Sequence, residues 1–114
     1  MVVKQCGVYL VVLEIKGEKA LKIGSSSDVR TRVREVRSAY KATSAELVGV
    51  KACEREDLKE EEWFAHWLFE TWRLAGHREL YAWNESTEHR ARNYANDKVS
   101  VKRSNSSELG EYRE

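Results

Sequence analysis

No stretch of this chain approaches the about 20 consecutive apolar residues that cross a bilayer, so the sequence holds no membrane-spanning helix. Neither sign of charge dominates. Twenty Lys and Arg stand against 19 Asp and Glu, a formal net charge of +1, and no global field advertises a polyanionic partner. Any nucleic-acid contact therefore has to come from a local patch. Cysteine is scarce. The opening "MVVKQCGVYL" lacks the small-residue cleavage site of an export signal, so Cys6 and Cys53 read as free thiols in a cytoplasmic protein. Familiar site patterns are missing too. "GSSSD" at 24–28 has neither the second glycine nor the Lys-Ser/Thr ending of a phosphate-binding loop. There is no HExxH pattern and no cysteine pairing at zinc-finger spacing, which removes a structural zinc site from consideration.

What is present suffices for one core. The 114 residues suit a single domain, and an apolar fraction of 41%, with four Trp, five Tyr and two Phe, can fill it. "CGVYLVVLEI" is a β-branched run, "KGEK" a turn, and "ALKIG" a returning strand, together a β-hairpin. The first strand is apolar on both faces, which calls for helices over each side of the sheet. Ser26, Ser27 or Asp28 can cap a helix whose seam is Val29, Val33, Val36 and Tyr40. Residues 45–53 read as a third strand, and a long helix is expected from about Asp57 to Ala75, stopping at Gly76. "RELYAWN" is short and extended, and "ESTEHRARNYAND" forms a last helix with Ser86 or Thr87 near its start. The expected order is β–β–α–β–α plus a C-terminal helix, an α+β fold with a small three-stranded antiparallel sheet flanked by helices. One domain is expected over 1–98, with a polar, disordered tail over 99–114.

Each helical residue advances about 100° around the axis, which sorts the polar side chains by face. Arg30, Arg34 and Arg37 share one flank of the first helix's seam, and Arg32 lies alone on the other. Arg32 is then either a long side chain covering the core edge or a functional group. In the long helix, Leu58, Phe64, Ala65, Leu68, Phe69 and Trp72 form one apolar stripe and Trp63, Trp67 and Leu74 a second. Tryptophans at that spacing read as core rather than as a base-stacking platform. Between the stripes runs a polar lane of Glu62, His66 and Arg73. Such groups between apolar walls are costly to desolvate, and persist as internal ion pairs or because chemistry needs them. His77 and His89 read as surface residues, and no base is expected beside the serines at 25–27.

Four short patterns then fall in order: "GVY" at 7–9, "KIG" at 22–24, "S-x-D-V-x-x-R-V" at 26–33 and "E-x-x-x-H" at 62–66. Together they resemble a GIY-YIG nuclease domain, in the phage and bacterial branch that carries KIG for YIG. The glutamate–aromatic ending of that branch is echoed by "HRELY" at 77–81, and the resemblance spans residues 5 to 84. It implies a three-stranded antiparallel sheet with helices and a metal-dependent endonuclease that hydrolyses DNA phosphodiesters with a single Mg²⁺ or Mn²⁺. By resemblance, Tyr9 helps activate water or acts as general base, Arg32 stabilises the scissile phosphate, and Glu62 holds the metal. His66, one turn on, orients the glutamate or touches the phosphate. A carboxylate suits a hard divalent cation, and a guanidinium matches phosphoryl charge with paired donors.

The departure is Lys22, which stands where the family has its second tyrosine. A lysine there binds phosphate, takes over proton transfer if burial depresses its pKa, or marks a degenerate site. That leaves a catalytically inactive binding module as the alternative reading. With no room expected for a second domain, Arg30, Arg34, Arg37 and Lys41 are the candidates for non-specific DNA backbone contacts. A homodimer or a separate protein is the expected source of specificity.

Overall fold

A computed structural model describes residues 5–97; the expected tail at 99–114 lies outside them. Strands β1 (Gly7–Ile15) and β2 (Glu18–Ser26) form the expected hairpin, with Ile15 opposite Glu18. Lys16 (φ 53°) and Gly17 (φ 83°) both sit in the left-handed region, the backbone that a two-residue turn needs to match strand twist. Helix α1 (Val29–Ala39) follows, then β3 (Ser44–Ala52), which pairs antiparallel with the other edge of β1.

β1 is buried on both faces, as its composition requires. Val8, Leu10 and Val12 join Leu21 and Ile23 in a core with Ala65, Phe69, Ala91 and Tyr94, residues of the later helical segments. Tyr9, Val11 and Leu13 face the other way, against Val29 and Val36 of α1 and Leu80. The sheet thus has α1 over one face and the later helices over the other.

Two expectations are corrected. The sheet has four strands, not three: "RELYAWN" supplies β4 (Leu80–Ala82), which pairs with β2 and makes the order β3-β1-β2-β4. The long helix also ends early. Helix α2 covers only Leu58–Leu68, and a 3-10 turn over Glu70–Trp72 succeeds it. Beyond that turn the chain straightens to pair with β4, through an Arg73–Tyr81 bridge and a Leu74 N–H to Leu80 carbonyl bond of 2.9 Å. A helix continuing to Ala75 would forgo this pairing.

Two face assignments are overturned as well. Trp63 and Trp67, read as core, are 58% and 55% exposed. Arg73 leaves the polar lane altogether. Its guanidinium bonds Glu70 at 2.5 Å and the Arg78 carbonyl at 2.9 Å, and lies 5.7 Å from the Tyr81 ring. The final helix, α3 (Glu85–Asn96), has Ser86 and Thr87 near its start, as expected; Asn84 caps it, and Thr87 returns the bond to complete a reciprocal cap.

Candidate active site

The polar residues converge where the sheet's outer strand gives out. β4 pairs only with Ala20–Lys22 of β2, while β2 continues to Ser26. Glu79, directly before β4, still accepts a bond from the Ile23 N–H at 3.2 Å. The notch beyond it is reached from both faces of the sheet: by Tyr9 and Lys22 from the α1 side, and by Ser25, Glu62 and His66 from the α2 side.

Tyr9 lies opposite Gly24 in the hairpin, and its phenol passes directly over that glycine. A side chain at 24 would collide with the hydroxyl, so the close approach itself requires the glycine of "KIG". Tyr9 is 1% exposed, and burial pushes its pKa up to about 12 even though the Arg32 guanidinium pulls it down. Arg32 itself is half exposed and bonded to Glu35 at 3.1 Å, while remaining close enough to hydrogen-bond the Tyr9 phenol.

Lys22 points inward from β2 and is 3% exposed. Its ammonium is bonded to the Glu79 carboxylate and, at 3.3 Å, to the Ile23 carbonyl, and it lies 5.9 Å from the Tyr9 ring centroid. Across the notch, Glu62 accepts from the Ser25 hydroxyl at 2.5 Å and pairs with His66 Nε2 at 3.0 Å. His66 Nδ1 meets the Tyr81 hydroxyl at 2.5 Å. The His66 bond, reinforced by Ser25 and the nearby Lys22 charge, holds the Glu62 carboxyl below the usual range against the opposing effect of burial.

Of the residues singled out in the sequence, Tyr9, Lys22, Glu62 and His66 are brought together, with Arg32 on the rim. Arg30, Arg34 and Lys41 remain on exposed surface. Arg37 is tied down, donating to the Thr43 carbonyl at 2.9 Å and closing the link between α1 and β3. Three partners escaped the sequence reading. Ser25 had been set aside with its neighbours, and Tyr81 lay in a segment read only as extended. Glu79 was visible as the glutamate of "HRELY" but was given no role.

Glu62, His66 and Glu79 each present a ligand atom, and these atoms lie within 4.8 Å of one another. Neighbouring ligands in an octahedral shell with bonds of about 2.1 Å lie about 3.0 Å apart, so the trio would have to draw together to close on a divalent ion. The two carboxylates suit Mg²⁺ or Mn²⁺, and the imidazole favours Mn²⁺ and its transition-metal neighbours. For His66 to ligate through Nε2, its proton must sit on Nδ1, where the Tyr81 oxygen can accept it.

Residues 7–102 match the family described as the T5orf172 domain. The chain belongs to the T5orf172 domain family. This is a phage-associated family often related to nuclease-type folds. Neither curated proteins nor solved structures yield a match to the chain. Every residue of the notch falls inside the matched T5orf172 segment, and no helix among the described residues is long and apolar enough to cross a membrane.

Proposed function

We propose that this T5orf172 domain is a divalent-metal-dependent endonuclease that hydrolyses DNA phosphodiester bonds at the β2–β4 notch. The observation that carries the reading is the meeting of Tyr9, Lys22, Glu62, His66 and Glu79, from four separate segments, at one open edge. A chain that needed only stability would gain little by burying so much charge in one place.

Glu62, with Glu79 and His66 beside it, holds Mg²⁺ or Mn²⁺. When bound, the ion lowers the pKa of an attacking water and stabilises the leaving oxygen. Ser25 holds the Glu62 carboxylate and Tyr81 orients the His66 ring from Nδ1, so little reorganisation is needed when a substrate arrives. Arg32 offers paired donors to the scissile phosphate from the rim, exchanging its exposed bond to Glu35 for a group on which negative charge builds in the transition state. The phenol of Tyr9 is protonated at neutral pH, so it enters as a hydrogen-bond donor that positions water or phosphate. Its conversion to a base is eased by the neighbouring Arg32. Arg30, Arg34 and Lys41 supply non-specific contacts to the backbone, and specificity comes from a second copy or a separate protein.

One observation favours a second reading, a catalytically inactive binding module. Lys22 replaces the tyrosine of the resembled family and is already neutralised by Glu79. Incubation of the protein with plasmid, single-stranded and RNA substrates in Mg²⁺ or Mn²⁺ separates the two. Metal-dependent cutting of DNA that disappears in Glu62→Ala supports the nuclease. Salt-sensitive binding without cutting of any substrate supports the module, and cutting that survives Glu62→Ala removes the assigned site.

A further inference from the structure

Glu79 stands between a lysine and a candidate cation site. Its carboxylate offers an oxygen to the Glu62–His66–Glu79 trio and is also bonded by the Lys22 ammonium. Glu62 is satisfied differently, by the neutral Ser25 hydroxyl and the His66 ring. The trio's compensating positive charge therefore comes from a lysine rooted in the sheet and almost wholly shielded from water. A buried ammonium of this kind needs its carboxylate as much as the carboxylate needs it.

We propose that Lys22 is the resident counter-ion of the cation site: its ammonium occupies Glu79 until a divalent cation takes that carboxylate, so cation entry and lysine release are a single event. The inference rests on the metal-dependent reading above and extends it to how the site is loaded.

A carboxylate has lone pairs enough for two partners, so sharing is geometrically open to Glu79. Electrostatics opposes sharing. An ammonium and a dication on one small group repel strongly where water is scarce. Geometry opposes it as well, because closing the trio from its 4.8 Å envelope onto an ion draws Glu79 inward, away from Lys22. The displaced ammonium keeps two anchors, the Ile23 carbonyl at 3.3 Å and the face of the Tyr9 ring at 5.9 Å. It is thereby left as an unpaired positive charge beside Tyr9, where a phosphate bound in the notch would lie. An empty site is thus self-neutralised, and a loaded one carries a lysine ready for an anion.

The test needs no nucleic acid. Mn²⁺ binding is measured by electron paramagnetic resonance for the full chain and for Lys22→Met, Glu79→Gln and the double variant. Removing the competitor is expected to tighten Mn²⁺ binding by about tenfold or more, and Glu79→Gln to weaken it by about as much. In the Glu79→Gln background the gain from Lys22→Met should collapse, because competition acts through that carboxylate. Unchanged or weaker binding by Lys22→Met overturns the proposal. So does a gain that persists undiminished without Glu79, which would mean general charge repulsion. Should Lys22→Met fail to fold, Lys22→Gln takes its place. The wild-type chain gives an independent check: in a Mg²⁺ titration, the Lys22 side-chain NMR resonance should move in step with saturation, and a resonance that stays fixed overturns the exchange. A chain that binds no Mn²⁺ overturns both this inference and the metal in the proposed function. A chain that shows the expected order of affinities yet cuts nothing leaves the exchange standing and removes only the catalysis.

Discussion

Glu61 and Glu62 are neighbours on α2, yet they anchor two polar clusters of opposite character. Glu61 is 1% exposed and accepts a 2.7 Å bond from the Tyr94 hydroxyl. Near it, the buried Lys51 bonds the Asp97 carbonyl and lies 5.5 Å from the Tyr94 ring. Glu62 keeps about a quarter of its side chain in solvent and sits among Ser25, His66, Glu79 and, across the notch, Lys22 and Tyr9. Both clusters contain glutamate, tyrosine and a buried lysine, so residue types alone do not distinguish them. The one-residue step of about 100° around the helix does. It turns Glu61 toward α3, where packing closes over it, and Glu62 toward the place where β4 stops. The first cluster is structural because its groups answer one another away from water. The second retains acceptor capacity facing an opening, the condition for binding something from outside.

Substitutions can break this contrast, and the largest effect is expected from Glu62→Gln. Plasmid cleavage in Mn²⁺ should fall by at least about a hundredfold, whereas Glu61→Gln should leave the rate per folded molecule nearly unchanged. Comparable losses in the two variants would erase the distinction. Arg32→Ala comes next, expected to cost about 2.7–4 kcal/mol of transition-state stabilisation through removal of a phosphate donor. Its melting temperature should barely move, because the side chain is half exposed and its bond to Glu35 lies at the surface. In the closed cluster, Tyr94→Phe removes a hydrogen bond from a buried carboxylate and should destabilise the fold by about 1–3 kcal/mol. Thermal denaturation measures that loss, and cleavage at a permissive temperature should persist.

The smallest effect distinguishes the phenols by pH. Burial pushes both Tyr9 and Tyr81 up to about 12 in the folded chain, above the ordinary tyrosine pKa of 10.0. A raised value means the folded state holds its proton after the unfolded chain has lost it. The stabilisation is complete below about pH 10 and is lost as pH climbs from there toward 12. Melting temperatures taken between pH 8 and 11.5 should decline over the upper part of that range. Tyr9→Phe should flatten the decline by its own share, and an unaltered slope would show that the Tyr9 phenol is not held protonated by its surroundings.

The hairpin, α1 and β3 were legible in the sequence because each is a local pattern: β-branched strands about Gly17, then valines at helical spacing. β4 was not, since three residues carry too little periodicity and their membership in the sheet depends on a partner some sixty positions earlier. The end of α2 was misread for a related reason. Gly76 is a plausible stop, but the pairing of Leu74 with Leu80 ends the helix sooner, and no residue near Phe69 signals it. Arg73 left the polar lane with that change, and Trp63 and Trp67 left the core. Tyr9, Lys22, Glu62 and His66 were found because ordered motifs marked them. Ser25 and Tyr81 became visible only when register and packing set them beside Glu62 and His66.

The outward placement of Trp63 and Trp67 has a practical consequence. Each indole follows directly after a notch residue, Glu62 or His66, and both face solvent. Their emission should therefore lie toward the red and be open to a soluble quencher such as iodide. A ligand settling over this side of α2 would shield that fluorescence, giving the unlabelled chain an optical gauge of occupancy beside the residues proposed to act.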